Sequence, residues 1–135
     1  MLTRKSKVLG FYVIKDNNDS IQFYTGLLNL SLFMSVVDIV RDSVKVCHAH
    51  LSVEDHILLV FMKLRLGLLH QDVVNIFGLE LTIVSNVYRL WLPILSKYVR
   101  TLIGWSDRNS IRKHMPVCFK RKYRDSICII DCSEI

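Results

Sequence analysis

The chain has 135 residues, 51% of them hydrophobic and 22% charged, the balance of a folded domain, which excludes intrinsic disorder as a description of the whole. Its 18 Lys and Arg outweigh 12 Asp and Glu for a formal charge of +6, and where that excess lies says more than its size. Residues 100–125 hold eight cations (Arg100, Arg108, Arg112, Lys113, Lys120, Arg121, Lys122, Arg124) against Asp107 and Asp125, while the rest of the chain balances to zero, so the excess points to a local anionic partner.

Residues 1–19 mix charge with Asn17, Asn18 and Asp19 and show no clean period; they are expected as an N-terminal arm in which residues 8–14 form a short strand or pack loosely. The longest stretch without a charge, residues 20–37, reaches the length of a membrane span. It carries Gln22, Tyr24, Thr25, Gly26, Asn29 and Ser31, each of which would need a partner in hydrocarbon, so the stretch reads as soluble core with no membrane partner. Residues 8–14 are too short and too aromatic for a signal-peptide core, and an intracellular location follows. Leu27, Leu30, Phe33, Met34, Val37 and Val40 recur at three- and four-residue steps and predict a helix over 27–43. A polar interruption with Cys47, His48 and His50 comes next.

Ser52 followed by Asp55 three positions on is a capping-box start for a second helix, whose apolar run over 57–62 predicts a central core element ending at Gly67. A short helix over 69–77 stops at Gly78, and a longer one runs over 82–92 with Val84, Val87, Tyr88 and Trp91 at helical spacing. Pro93 predicts a kink or a restart there, with a further helix over 94–103. Residues 105–125 read as a basic linker with one short helix near 110–115 broken by Pro116. Finally, residues 126–132 are β-branched and apolar and predict a buried strand, with Cys128, Ile130 and Cys132 on one face. No partner strand precedes Ile135, so a truncated chain is expected.

Two short helices joined by a glycine turn and preceded by a buried helix have the spacing of a helix-turn-helix. Residues 72–77 would be the supporting helix, 78–81 the turn, with Gly78 supplying a positive φ, and 82–91 the recognition helix. Val73, Val74, Phe77, Val84, Val87 and Trp91 would fill the seam, leaving Thr82, Ile83, Ser85, Asn86 and Arg89 to face a groove. Asn86 suits an adenine edge and Arg89 a guanine or a phosphate. Two helices of a plain bundle, with Gly78 as an ordinary C-cap, explain the same pattern. Glu80 puts a negative charge in the turn.

In order along the chain stand Phe23-Tyr24-Thr25-Gly26-Leu27, Leu51-Ser52-Val53-Glu54-Asp55, Leu64-Arg65-Leu66-Gly67, Phe77-Gly78, Val84-Ser85 and Trp91. Trp105, Arg108, Ile111, Met115-Pro116, Phe119, Tyr123 and Ile129-Ile130-Asp131-Cys132-Ser133-Glu134-Ile135 follow. Over residues 20–135 the chain resembles the N-terminal part of DDE-superfamily transposases and endonucleases of Harbinger-like or THAP-associated type. The resemblance implies that Asp131 is the first acid of a DDE triad on the first strand of an RNase H-like sheet. There it would bind magnesium or manganese for two-metal phosphodiester hydrolysis. Glu134, three residues on, falls on the opposite face of a strand and is not counted. With two of the three acids not supplied, the chain is expected to be no enzyme and to bind no metal tightly.

Cys47, His48, His50 and His56 are metal-ligand types, but a closed zinc site needs four converging ligands, and their spacing gives no such pairing. The four cysteines are expected as reduced thiols, and Cys128 and Cys132 as core. The fold class read from the sequence is therefore mainly α: a helical domain over 20–104 with a helix-turn-helix at 69–92, a basic linker over 105–125, and over 126–135 the first β-strand of an incomplete RNase H-like domain. The expected function is duplex-DNA binding in the nucleus through Thr82, Ser85, Asn86 and Arg89, with Arg112, Lys113, Lys120, Arg121, Lys122 and Arg124 on the backbone. Lys120, Arg121 and Lys122 are expected to carry most of a salt-sensitive, nonspecific affinity. The alternatives are a protein-interaction or oligomerisation module, self-pairing or docking a missing nuclease domain, and a degenerate transposon remnant.

Overall fold

The computed structural model describes residues 9–44 and 50–129, which divide between Leu102 and Ile103 into two compact units, unit 1 and unit 2. Unit 1 contains α1 (Phe11–Ile14), α2 (Asn18–Thr25), α3 (Leu30–Arg41), α4 (Val53–Leu66), α5 (His70–Phe77) and α6 (Leu81–Val99), closed by a 3-10 turn at Arg100–Leu102. Unit 2 contains α7 (Arg108–His114) and α8 (Val117–Lys122). No strand forms among the described residues.

The central element is α4, which touches α1, α2, α3, α5 and α6. Its start is the capping box read from the sequence: the Ser52 hydroxyl accepts from the Asp55 N–H at 3.1 Å while the Asp55 carboxylate accepts from the Ser52 N–H at 3.3 Å. Its end is Gly67, at φ 64°, the left-handed region that an L residue enters only at a cost. Between them Ile57, Leu58, Leu59, Val60 and Met62 are buried all round, as expected of a helix enclosed by five others.

Helix α3 buries Phe33, Val36, Val37 and Val40. It starts at Leu30, three residues later than the apolar spacing predicts, because Gly26 ends α2 at φ 77° and the Asn29 carboxamide accepts from the Leu32 N–H at 2.9 Å to cap a new helix. Residues 9–25 form a pair of helices and no strand. Asp55 accepts from the Phe11 N–H at 2.8 Å, the Phe11 and Phe33 rings stack at 5.1 Å, and the Leu9 N–H reaches the Ile76 carbonyl at 3.0 Å. With these ties Ile14 and Ile21 join the core, and the buried Thr25 hydroxyl is satisfied by donating to the Ile21 carbonyl at 2.6 Å.

Pro93 neither kinks α6 into two helices nor restarts it: one helix runs from Leu81 to Val99. The lost N–H bond is outweighed by the stripe that continues across the proline, Trp91 to Leu95, both buried, while Pro93 itself lies on the exposed side where a helix can curve without crowding.

In unit 2, residues 105–125 hold two helices where one was expected. Asp107 caps α7 by accepting from the N–H groups of Asn109 and Ser110 and from the Ser110 hydroxyl at 2.6 Å. That hydroxyl bond, followed by the two backbone bonds, holds the Asp107 carboxyl below its ordinary pKa. Pro116 ends α7 and at the same time precedes α8, accepting from the N–H groups of Phe119 and Lys120. The strand expected over 126–132 is not formed over 126–129, where Ile127 and Ile129 are exposed and no neighbouring strand among the described residues supplies a ladder. The expected burial of Cys128 is corrected by the same observation, since its thiol is free and exposed. Residues 130–132, with Asp131 and Cys132, lie outside the described residues, as do Cys47 and His48.

Candidate nucleic-acid interface

The chain turns through 110° between α5 and α6, inside the range of a helix-turn-helix. The turn is made by Gly78 at φ 65°, with the Val74 carbonyl accepting from the N–H groups of Gly78 and Leu79, a left-handed stop that ends α5 within one residue. Glu80 then enters α6 as an extended N-cap, its carbonyl accepting from the Val84 N–H at 3.1 Å. A negative side chain there favours the positive end of the helix dipole, which gives Glu80 a local structural use.

The seam is filled as the spacing predicts by Val73, Phe77, Val84, Val87 and Trp91, all buried, with Val74 half-buried. At its centre the Trp91 indole N–H donates to Nδ1 of the buried His56 at 3.1 Å, tying α6 to α4. Since an indole can only donate, His56 holds its proton on Nε2. His56 is thus part of the core and not a loop ligand. Among the described residues no group of three or more His, Cys, Asp or Glu converges to hold a metal.

On the opposite side of α6, Thr82, Ser85, Asn86 and Arg89 stand at i, i+3, i+4 and i+7 and so share one face. Thr82, Asn86 and Arg89 are exposed and Ser85 is half-buried. All four line one open depression of about 630 Å³, which His70, Leu81 and Tyr88 complete. Ile83, expected beside them, is half-buried and packs against the core. His70 and Tyr88 were not among the expected surface residues. Their rings meet edge to face at 5.6 Å, and the Lys63 ammonium sits 5.3 Å from the centre of the Tyr88 ring while donating to the Leu68 carbonyl. Tyr88 fell on the apolar period of α6, and only the three-dimensional crossing of α5 over α6 shows that its ring edge borders the polar face.

The expected cations Arg112, Lys113, Lys120, Arg121, Lys122 and Arg124 are all exposed in unit 2. Arg112 pairs with Asp125 at 2.8 Å.

A buried helix, a short second helix, a sharp glycine turn and a third helix with one apolar and one polar face together make a three-helix helix-turn-helix. Residues 49–100, which run from the approach to α4 to the end of α6, match the family described as helix-turn-helix of DDE superfamily endonuclease. No curated protein and no solved structure matches the chain. No single helix among the described residues is long and apolar enough to cross a membrane.

Proposed function

We propose that this protein binds duplex DNA as a transposase-related factor, α6 entering the major groove with Thr82, Ser85, Asn86 and Arg89 against base edges. Asn86 is assigned to adenine and Arg89 to guanine or a flanking phosphate, the pairings that their hydrogen-bonding groups favour. Contacts to the backbone are drawn from the cations of unit 2, among Arg112, Lys113, Lys120, Arg121, Lys122 and Arg124, and the site of action is the nucleus. The observation that carries the reading is the polar row on α6, placed opposite its buried stripe, within the segment that is similar to a DDE-superfamily helix-turn-helix.

The relation to Harbinger-like or THAP-associated elements, the RNase H-like strand and the role of Asp131 as a magnesium or manganese ligand rest on the sequence resemblance. Asp131 lies outside the described residues, and no cutting step is assigned to this chain. The test is selection of a preferred duplex by the full chain, followed by anisotropy titrations of variants. Asn86→Ala and Arg89→Ala should each weaken that duplex by about 5- to 100-fold while leaving the helical circular dichroism unchanged. Variants that bind like wild type, or a wild type that binds no duplex, would refute the assignment.

A further inference from the structure

The cations of unit 2 are not brought together as the contiguous run that the sequence presents. Consecutive helical residues point about 100° apart, so Lys120, Arg121 and Lys122 on α8 cannot address one phosphate together. The fold instead gathers cations from separate positions. Arg112, Lys120 and Arg124 line one depression of about 340 Å³ with the Met115 side chain. A second, smaller depression is lined by Arg108, Arg112 and Arg124 together with Asp125. Arg112 and Arg124 are common to both, flanked by Arg108 on one side and Lys120 on the other, whereas Lys113, Arg121 and Lys122 line neither.

We propose that Arg112 and Arg124, with Arg108 and Lys120 beside them, form a cradle for a DNA backbone phosphate, and that Asp125 is its built-in counter-ion, holding Arg112 until phosphate displaces it. The proposal deepens the DNA-binding reading and rests on it. Three arginines share a depression with one carboxylate, and Lys120 joins two of them in the next, which leaves a local excess of positive charge; a guanidinium fork matches a phosphate through two parallel bonds. The Arg112–Asp125 pair is open to solvent, Asp125 being 83% exposed, and such surface pairs are weak enough to exchange. Because the ligand is the phosphodiester itself, the cradle is indifferent to base sequence.

Two triple variants of the full chain test this, each removing three positive charges: Arg112→Ala/Lys120→Ala/Arg124→Ala and Lys113→Ala/Arg121→Ala/Lys122→Ala. Anisotropy titrations against two duplexes of unrelated sequence, over a range of salt, read both affinity and the slope of log K against log salt. The cradle triple is expected to weaken both duplexes by at least about 10-fold and to reduce the slope by about 2, whereas the other triple costs less than about 3-fold. Asp125→Asn breaks the same ion pair while leaving every cation in place, so it separates loosening of the segment from loss of charge; it is expected to tighten binding. Equal losses from the two triples, or weaker or unchanged binding by Asp125→Asn, overturn the cradle while leaving the DNA-binding reading standing. A wild type that binds neither duplex overturns both.

Discussion

The bond between Trp91 and His56 is a buried polar tie inside the seam that orients α6, and its worth can be isolated. Trp91→Phe keeps an aromatic ring in a fully buried site but removes the indole N–H that donates to His56 Nδ1 at 3.1 Å. Leaving the buried acceptor without that donor costs about 1–3 kcal/mol, and the smaller ring adds about 1 kcal/mol of lost contact. The variant should therefore lose about 2–4 kcal/mol, a large part of the stability of a domain of this size. His56→Leu removes the acceptor and whatever else the imidazole touches. In the double variant neither side of the Trp91–His56 bond is left unpaired by the other, and any further loss at His56 is common to the single and double variants and cancels, so the coupling energy should be about 1–3 kcal/mol. Urea melts followed by far-ultraviolet circular dichroism on the four proteins of the cycle measure it. Costs that add to within about 0.5 kcal/mol would show that the bond contributes nothing and that Trp91 acts by packing alone.

Two further perturbations probe neighbouring parts of the same unit. Pro93→Ala should raise stability by about 2 kcal/mol, since proline in a helix interior is about 3 kcal/mol worse than alanine and the freer unfolded chain returns part of that; a urea midpoint that stays or falls would mean that the exposed ring is needed. Burial raises the Glu54 carboxyl, but the backbone bond at its own residue, the Arg41 guanidinium at 2.6 Å and the Ser52 hydroxyl outweigh it, so the group lies below its ordinary pKa. A depressed carboxyl stabilises the fold above its unfolded pKa of about 4.3, and that stability is lost as pH falls through the lower folded value. Glu54→Gln should therefore shrink the stability difference between neutral pH and pH 3 by about 0.5–1 kcal/mol, measured by paired melts; an equal or larger acid loss in the variant would contradict the sign.

The features legible in the sequence are those whose chemistry closes within about two helical turns. Ser52 with Asp55, the stops at Gly67 and Gly78, and the common face of Thr82, Ser85, Asn86 and Arg89 are all relations over seven residues or fewer. What could not be read depends on partners distant in the chain. Phe11 is helical and packed because Asp55, forty-four positions away, accepts its N–H and because Phe33 stacks on its ring. No local period in residues 9–25 carries that information. Pro93 misled in the other direction: a correct local penalty was overridden by tertiary burial of Trp91 and Leu95 on either side of it. Residues 126–129, the described part of the expected strand, form no ladder among the described residues, since β-branched composition describes a segment able to pair, while a strand exists only with a neighbour to complete its hydrogen bonds.

The two faces of α6 are coupled by geometry. Val84, Val87, Trp91 and Leu95 fix the rotation of the helix about its axis, and every groove-facing side chain stands about half a turn away from that stripe. A change that lets the stripe rotate or slide moves Thr82, Ser85, Asn86 and Arg89 together, so a buried substitution can weaken base recognition without touching a base. If the polar face binds DNA as proposed, the packing of α6 on α4 through Trp91 and His56 is a form of preorganisation: the ordering entropy of that face is met during folding and not at the moment of binding. On the proposed reading the cations of unit 2 set affinity more than sequence preference, since phosphate contacts carry no base information. On the same reading a near-neutral helix sets selectivity while the gathered cations of unit 2 supply affinity.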